Sequence, residues 1–253
     1  MTETSCDHSA LSRAAALPRL RRDSIFFGAM AAWLAVTVFV GFAPTFYLRS
    51  HSGDLPTLSP LLTMHGLLFS AWMLLYPAQT ALVAAGRMRW HRQIGIAGAV
   101  LAASMVLLGT AVQIAHTRRL VLDGSYANNS LVEDLGLSLG LLDILVFLAF
   151  VSTAIWCRRR PAQHKRLILL ATLALIGPAV VKIPGITAFP PLAVVLSPLI
   201  PVIPLMFYDL LSCRKILPVT LWGVGISIGY HILAVALVGV GAAGALARWI
   251  AAS

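Results

Sequence analysis

The chain has 253 residues, of which 59% are hydrophobic and 11% charged, with a mean hydropathy of +0.87. A soluble domain carries about 25% charged residues, so the composition excludes a water-soluble globular fold and points to a polytopic membrane protein. The net charge of +10 does not argue for nucleic acid as a partner. The basic residues sit in short turns between apolar runs, where membrane topology accounts for them.

Residues 1–24 form a polar, basic tail with Arg13, Arg19, Arg21 and Arg22. The apolar run that follows has no small-residue cleavage site at its end and reads as a retained first span. Hydropathy predicts seven spans, at 25–48, 60–85, 94–116, 135–157, 167–189, 190–211 and 217–248. The membrane domain therefore covers 25–250 and is all-α, a bundle of seven transmembrane helices.

The turns alternate in charge. Arg87, Arg89 and Arg92 lie after the second span, Arg158, Arg159, Arg160, Lys165 and Arg166 after the fourth, and Arg214 and Lys215 after the sixth. The intervening loops set Arg49 against Asp54, and Arg118 and Arg119 against Asp123, Glu133 and Asp134. The positive-inside rule then places the N-terminus in the cytoplasm and the C-terminus outside, in a plasma (inner) membrane. Cys6, Cys157 and Cys213 all fall on the cytoplasmic side and fit no metal motif.

The turn Gly86–Ile94 resembles Arg159–Leu167: basic residues, then a histidine with a cation after it, then an apolar helix. Duplication of a helix pair and convergent loop chemistry both account for it. Pro178, Pro184, Pro190, Pro191, Pro198, Pro201 and Pro204 crowd the fifth and sixth spans. They predict bent helices and an abrupt junction at Pro184-Gly185, either as a transport site or as a kinked structural hairpin.

Ionisable residues inside hydrocarbon are costly and normally face partners within the bundle. At 1.5 Å per residue, His65 lies roughly 8 Å below the outer edge and His231 about 9 Å below it. Asp143 lies roughly 12 Å below the same edge, and Lys182 climbs to a similar layer. His65 and His231 are candidate ligands of a metal or haem, with Asp143 and Lys182 as supporting polar groups. The plainer readings are a snorkelling Lys182, an Asp143 that pairs with it or bonds a neighbouring helix, and histidines bonded to carbonyls. His91 and His164 form a second layer at the cytoplasmic edge, as cofactor ligands or as interfacial anchors.

Met64-His65-Gly66, Trp90-His91 and Ile94-Gly95 resemble the core of the cytochrome b561 type. In that family successive helices carry single histidines, and pairs of them clamp haem b near the two membrane faces. The resemblance implies His65, His91 and His164 as ligand positions. The fourth span departs from the pattern, because its outer end has no histidine, and only His231 or His116 can then partner His65. The chain also resembles a bacterial family of multi-pass proteins of uncharacterised activity, through HG-x-x-F-x-x-W at His65–Trp72, GR-x-x-x-HR-x-x-G at Gly86–Gly95, HKRL at His164–Leu167, Asp209-Leu210, and P-x-x-x-W-G at Pro218–Gly223.

Single histidines on separate helices in two layers predict a haem-b or metal-binding electron-transfer protein, serving a quinone or a membrane redox partner. Asp143, Lys182 and the broken helices support an alternative, a small-solute or proton-coupled transporter. A non-catalytic accessory or assembly subunit is the third reading.

Overall fold

A computed structural model describes residues 5–53, 55–183, 185 and 200–253, with the backbone alone for 5–20. Among them the helices are α1 (Ser5–Phe42), α2 (Pro60–Ala84), α3 (Met88–Leu122), α4 (Ser130–Trp156), α5 (Pro161–Ala174), α6 (Gly177–Val181), α7 (Val202–Cys213), α8 (Pro218–Gly239) and α9 (Ala242–Ala252). Five of the described helical stretches are long and apolar enough to cross a membrane: Arg21–Tyr47, Pro60–Ala84, Met88–Leu122, Ser125–Arg159 and Pro218–Gly239. The protein is an all-helical integral membrane bundle.

Local chemistry sets the ends. Pro44 has no N–H, and the chain closes α1 with a wide turn in which Leu48 N donates to Ala43 O at 2.7 Å. The Ser59 hydroxyl accepts from Leu62 N at 3.2 Å and Pro60 takes the first helical position of α2, a capped start. Gly86, at φ +71°, makes the reversal into α3.

Two of the seven predicted spans take a different form. The fifth, predicted over 167–189, stops at Ala174. Pro178 cannot donate to the Ala174 carbonyl, so the chain tightens through Leu175 N→Thr172 O and Ile176 N→Leu173 O, both 3.2 Å, before α6 restarts. Pro184, the first half of the sixth span and its prolines Pro190, Pro191 and Pro198 lie outside the described residues. The last run, predicted over 217–248, divides at Gly241 (φ +73°), and α9 folds back onto α3 and α4. In α9, Ala243, Gly244, Ala247 and Ile250 are buried while Trp249 is exposed, a short amphipathic helix rather than a continuation of a span.

The bundle is centred on α4 and α5. Helix α4 packs against α3, α5, α8 and α9, and α2 lies between α1 and α3. From Arg166 to Ala174, every residue of α5 except Ile168 is buried. The Trp72 ring meets Phe147 edge-on at 5.1 Å, and its indole N–H donates to Thr172 Oγ1 at 3.3 Å, tying α2 to α4 and α5. Close helix contacts rest on missing side chains: a Cβ on Gly41 would stand 2.1 Å from Ala179 O, and one on Gly66 2.2 Å from the Phe46 ring.

Candidate functional site

The turns before α3 and α5 bring two histidines to one end of the bundle. Arg87 precedes α3 and Arg160 precedes α5, and each histidine stands four residues on, in the first helical turn. His91 N donates to Arg87 O at 3.1 Å and His164 N to Arg160 O at 3.0 Å. The repeated turn is thus structurally equivalent at the position that matters. The His91 and His164 rings lie 6.3 Å apart between centroids, at 87° to one another. A direct N–H···N bond of about 3 Å would bring ring centres to roughly 5 Å. Two imidazoles on opposite sides of one metal ion, each at about 2 Å, hold their centres roughly 6 Å apart.

Each ring is held from behind. His164 Nδ1 lies 2.8 Å from Ala154 O, which fixes the proton on Nδ1 and leaves the Nε2 lone pair outward. The Gln79 side-chain amide from α2 reaches His91 Nδ1 and, at 3.1 Å, His91 O, and its other end takes Gly95 N at 3.0 Å. The amide nitrogen faces His91 O and Nδ1 while the amide oxygen takes Gly95 N–H, so Nδ1 accepts and the ring proton of neutral His91 sits on Nε2. Arg87, Arg92 and Arg160, in the turns and first helical turns that carry the two histidines, are exposed.

A second cluster at this end was legible only as pieces of motif. Arg166 and Asp209 are 1% and 0% exposed. Arg166 Nε donates to Asp209 Oδ1 at 2.9 Å, and a second guanidinium nitrogen pairs with the same oxygen. Asp209 Oδ2 accepts from Leu217 N at 3.1 Å and from Thr220 Oγ1 at 2.6 Å. Beside it the Asp23 carboxylate of α1 takes Lys165 and the Tyr208 hydroxyl. The HKRL segment, Asp209 and the Pro218 segment are therefore one lock joining α1, α5, α7 and α8. Sequence reading counted Arg166 with the topological arginines; the signal that separates it is a lone acidic residue, Asp209, inside an apolar helix.

The predicted outer layer takes a looser form. His65 stacks on Phe69 at 4.1 Å, and its buried Nδ1 has no hydrogen-bond partner. His231, on α8, places Nδ1 2.8 Å from Ser227 O beside Tyr230. The two helices have different main neighbours: α1 and α3 for α2, and α4, α5 and α9 for α8. Asp143 is buried and hydrogen-bonds Tyr230. Lys182 is exposed, its ammonium 5.8 Å from the Phe42 ring centre, as a snorkelling lysine sits. Among the described residues no group of three or more His, Cys, Asp or Glu side chains is placed to hold a metal ion.

No family model, curated protein or solved structure matches this chain.

Proposed function

We propose that this integral membrane protein binds haem b, or another metal group that takes two imidazoles, between His91 and His164, and that it serves electron transfer in the membrane. The observation that carries the reading is the pair itself: two rings on separate helices, 6.3 Å apart and crossed at 87°. That separation is too long for a direct bond and suits one ion taken from both sides. The donor set fits haem iron, for which imidazole is an ordinary axial ligand. His91 and His164 would supply those ligands. Ala154 O would orient His164, His91 would have to give up its Nε2 proton or change tautomer to ligate, and Arg87, Arg92 and Arg160 are the cations at hand for propionates. A bis-histidine haem supplies reversible one-electron chemistry. The protein's part is to hold the two rings and to keep this end tied together through Arg166 and Asp209.

Haem b titrated into purified apoprotein tests the site. The expected result is a Soret shift saturating at one equivalent in the wild type and lost in His91→Ala and in His164→Ala. Saturable binding that survives both substitutions would remove the site. The charge of the turns favours a cytoplasmic face for this end. Reporter domains fused after residue 90 or 214 should then read cytoplasm, and after residue 253 the outside; the opposite pattern would invert the orientation.

A proton-coupled transport reading keeps one specific support, the buried Asp143–Tyr230 pair on α4 and α8.

A further inference from the structure

At the end of the bundle away from the paired histidines, α3 and α4 diverge around a cavity of about 150 Å³. Gln113, His116 and Thr117 from α3, Tyr126 from the connecting turn, and Glu133 and Gly136 from α4 line it. A cavity of this size with this many donors and acceptors holds several water molecules, each of which occupies about 30 Å³ in the liquid.

The face of α4 that lines the cavity continues beyond it toward Asp143. Glu133, Gly136, Gly140 and Asp143 follow one another at spacings of three, four and three, so they share one helical face. Glu133 to Asp143 is ten residues, about 15 Å of helix rise. Gly136 leaves open space, since a Cβ there would meet nothing within 4 Å. At Gly140 the space of a Cβ is taken by the Gln113 amide, whose Oε1 lies 2.5 Å from that point. The same Gln113 that lines the cavity therefore closes its deep end, one turn short of Asp143. Asp143 is a carboxyl in the hydrocarbon layer that hydrogen-bonds Tyr230, and among the described residues nothing in the paired-histidine site uses it.

We infer that this cavity is the mouth of a proton path that ends on the Asp143 carboxylate, with the Gln113 amide on Gly140 as its stopper. A hydronium ion in the cavity gives up one O–H bond and becomes water; the Asp143 carboxylate gains that O–H and becomes a neutral acid. No electrons move. When the Gln113 side chain leaves Gly140, the vacated Cβ space joins the cavity to the turn that carries Asp143. The charged groups at the mouth are balanced: Glu133 and Asp123 against Arg119 and Lys182, all acting on His116. Asp134 and Arg248 lie further out against Gly244 of α9. On the inner side Asp143 faces Tyr230, with the His231 ring 4.1 Å from that ring and tilted at 47°. The inference does not rest on the haem reading and stands or falls separately from it.

Infrared spectroscopy of the full-length protein in detergent tests it. A carboxylic-acid band absent from Asp143→Asn identifies the group, and transfer to D2O times its exchange. The wild type and Gly28→Ala, a site at the other end with open space around it, should exchange quickly. Gly136→Leu, which fills the cavity, and Gln113→Leu, which puts an apolar plug on Gly140, should each slow exchange at least tenfold. Unchanged exchange in whichever of these two variants retains the wild-type melting profile would overturn the path. So would the absence of any Asp143-dependent acid band between about pH 5 and 9, a window wide enough to cover strongly shifted carboxyls.

Discussion

The Arg166 guanidinium and the Asp209 carboxylate are buried together, and each is satisfied almost completely. Asp209 accepts from Arg166, from Leu217 N and from Thr220, while Arg166 also donates to Ala162 O at 2.7 Å. A buried pair of this kind adds little over an apolar pair of the same shape, but removing one partner strands the other. Asp209→Ala should therefore cost about 3–5 kcal/mol, read as a lower melting temperature in detergent. The double variant Arg166→Leu, Asp209→Leu should lose less than either single change. A melting temperature of Asp209→Ala equal to the wild type would show that the pair does not hold this end. At this scale the sequence was legible where a residue is anomalous by itself. A histidine beside arginine at a helix start is such a residue, and His91 and His164 do meet. Arg166 is not, because a basic residue in a turn is expected there and its partner is 43 positions away. Asp143 and Lys182 were each visible as polar intrusions, but which neighbour each takes depends on helix rotation, which depth counting does not contain.

Helix ends and breaks follow from glycine and proline more closely than from hydropathy. Hydropathy places the first span from residue 25, whereas α1 begins at Ser5, because the tail's Ala, Leu and Arg residues favour helix without being apolar enough to span. The fifth span divides at Pro178 and the last at Gly241, although the apolar run continues through both. Which glycines carry close helix contacts is likewise invisible until the helices are placed. Gly41 and Gly28 lie on the same helix, yet only Gly41 is pressed against another backbone, at Ala179 O. Gly41→Ala should destabilise the protein by about 1–3 kcal/mol through overpacking of α1 on α6. Gly28→Ala should be neutral or stabilising by up to about 1 kcal/mol, since alanine is the better helix former. Equal thermal stability of the two variants would mean that α1 and α6 do not meet as described.

Across the whole molecule the polar chemistry divides between two ends of one apolar bundle. One end holds the paired histidines next to the exposed arginines of the two turns and is tied across four helices by the Asp23, Lys165, Arg166 and Asp209 contacts. The other holds the small cavity between α3 and α4, with α9 packed on the same two helices. The membrane class and the helical bundle were legible because they depend on composition and run length, which survive any arrangement of the helices. The two ends were legible in part, because turn charge sorts loops to a side of the membrane but does not pair residues across helices. The cavity was not, since it is defined by where Gln113 and Gly140 meet. The central claim is that the His91–His164 pair holds an iron porphyrin. The protein as isolated from membranes of cells supplied with haem should show a Soret band and a sharpened visible band on reduction with dithionite, with about one iron per chain. A colourless, iron-free protein whose spectrum is unchanged by dithionite would contradict the account.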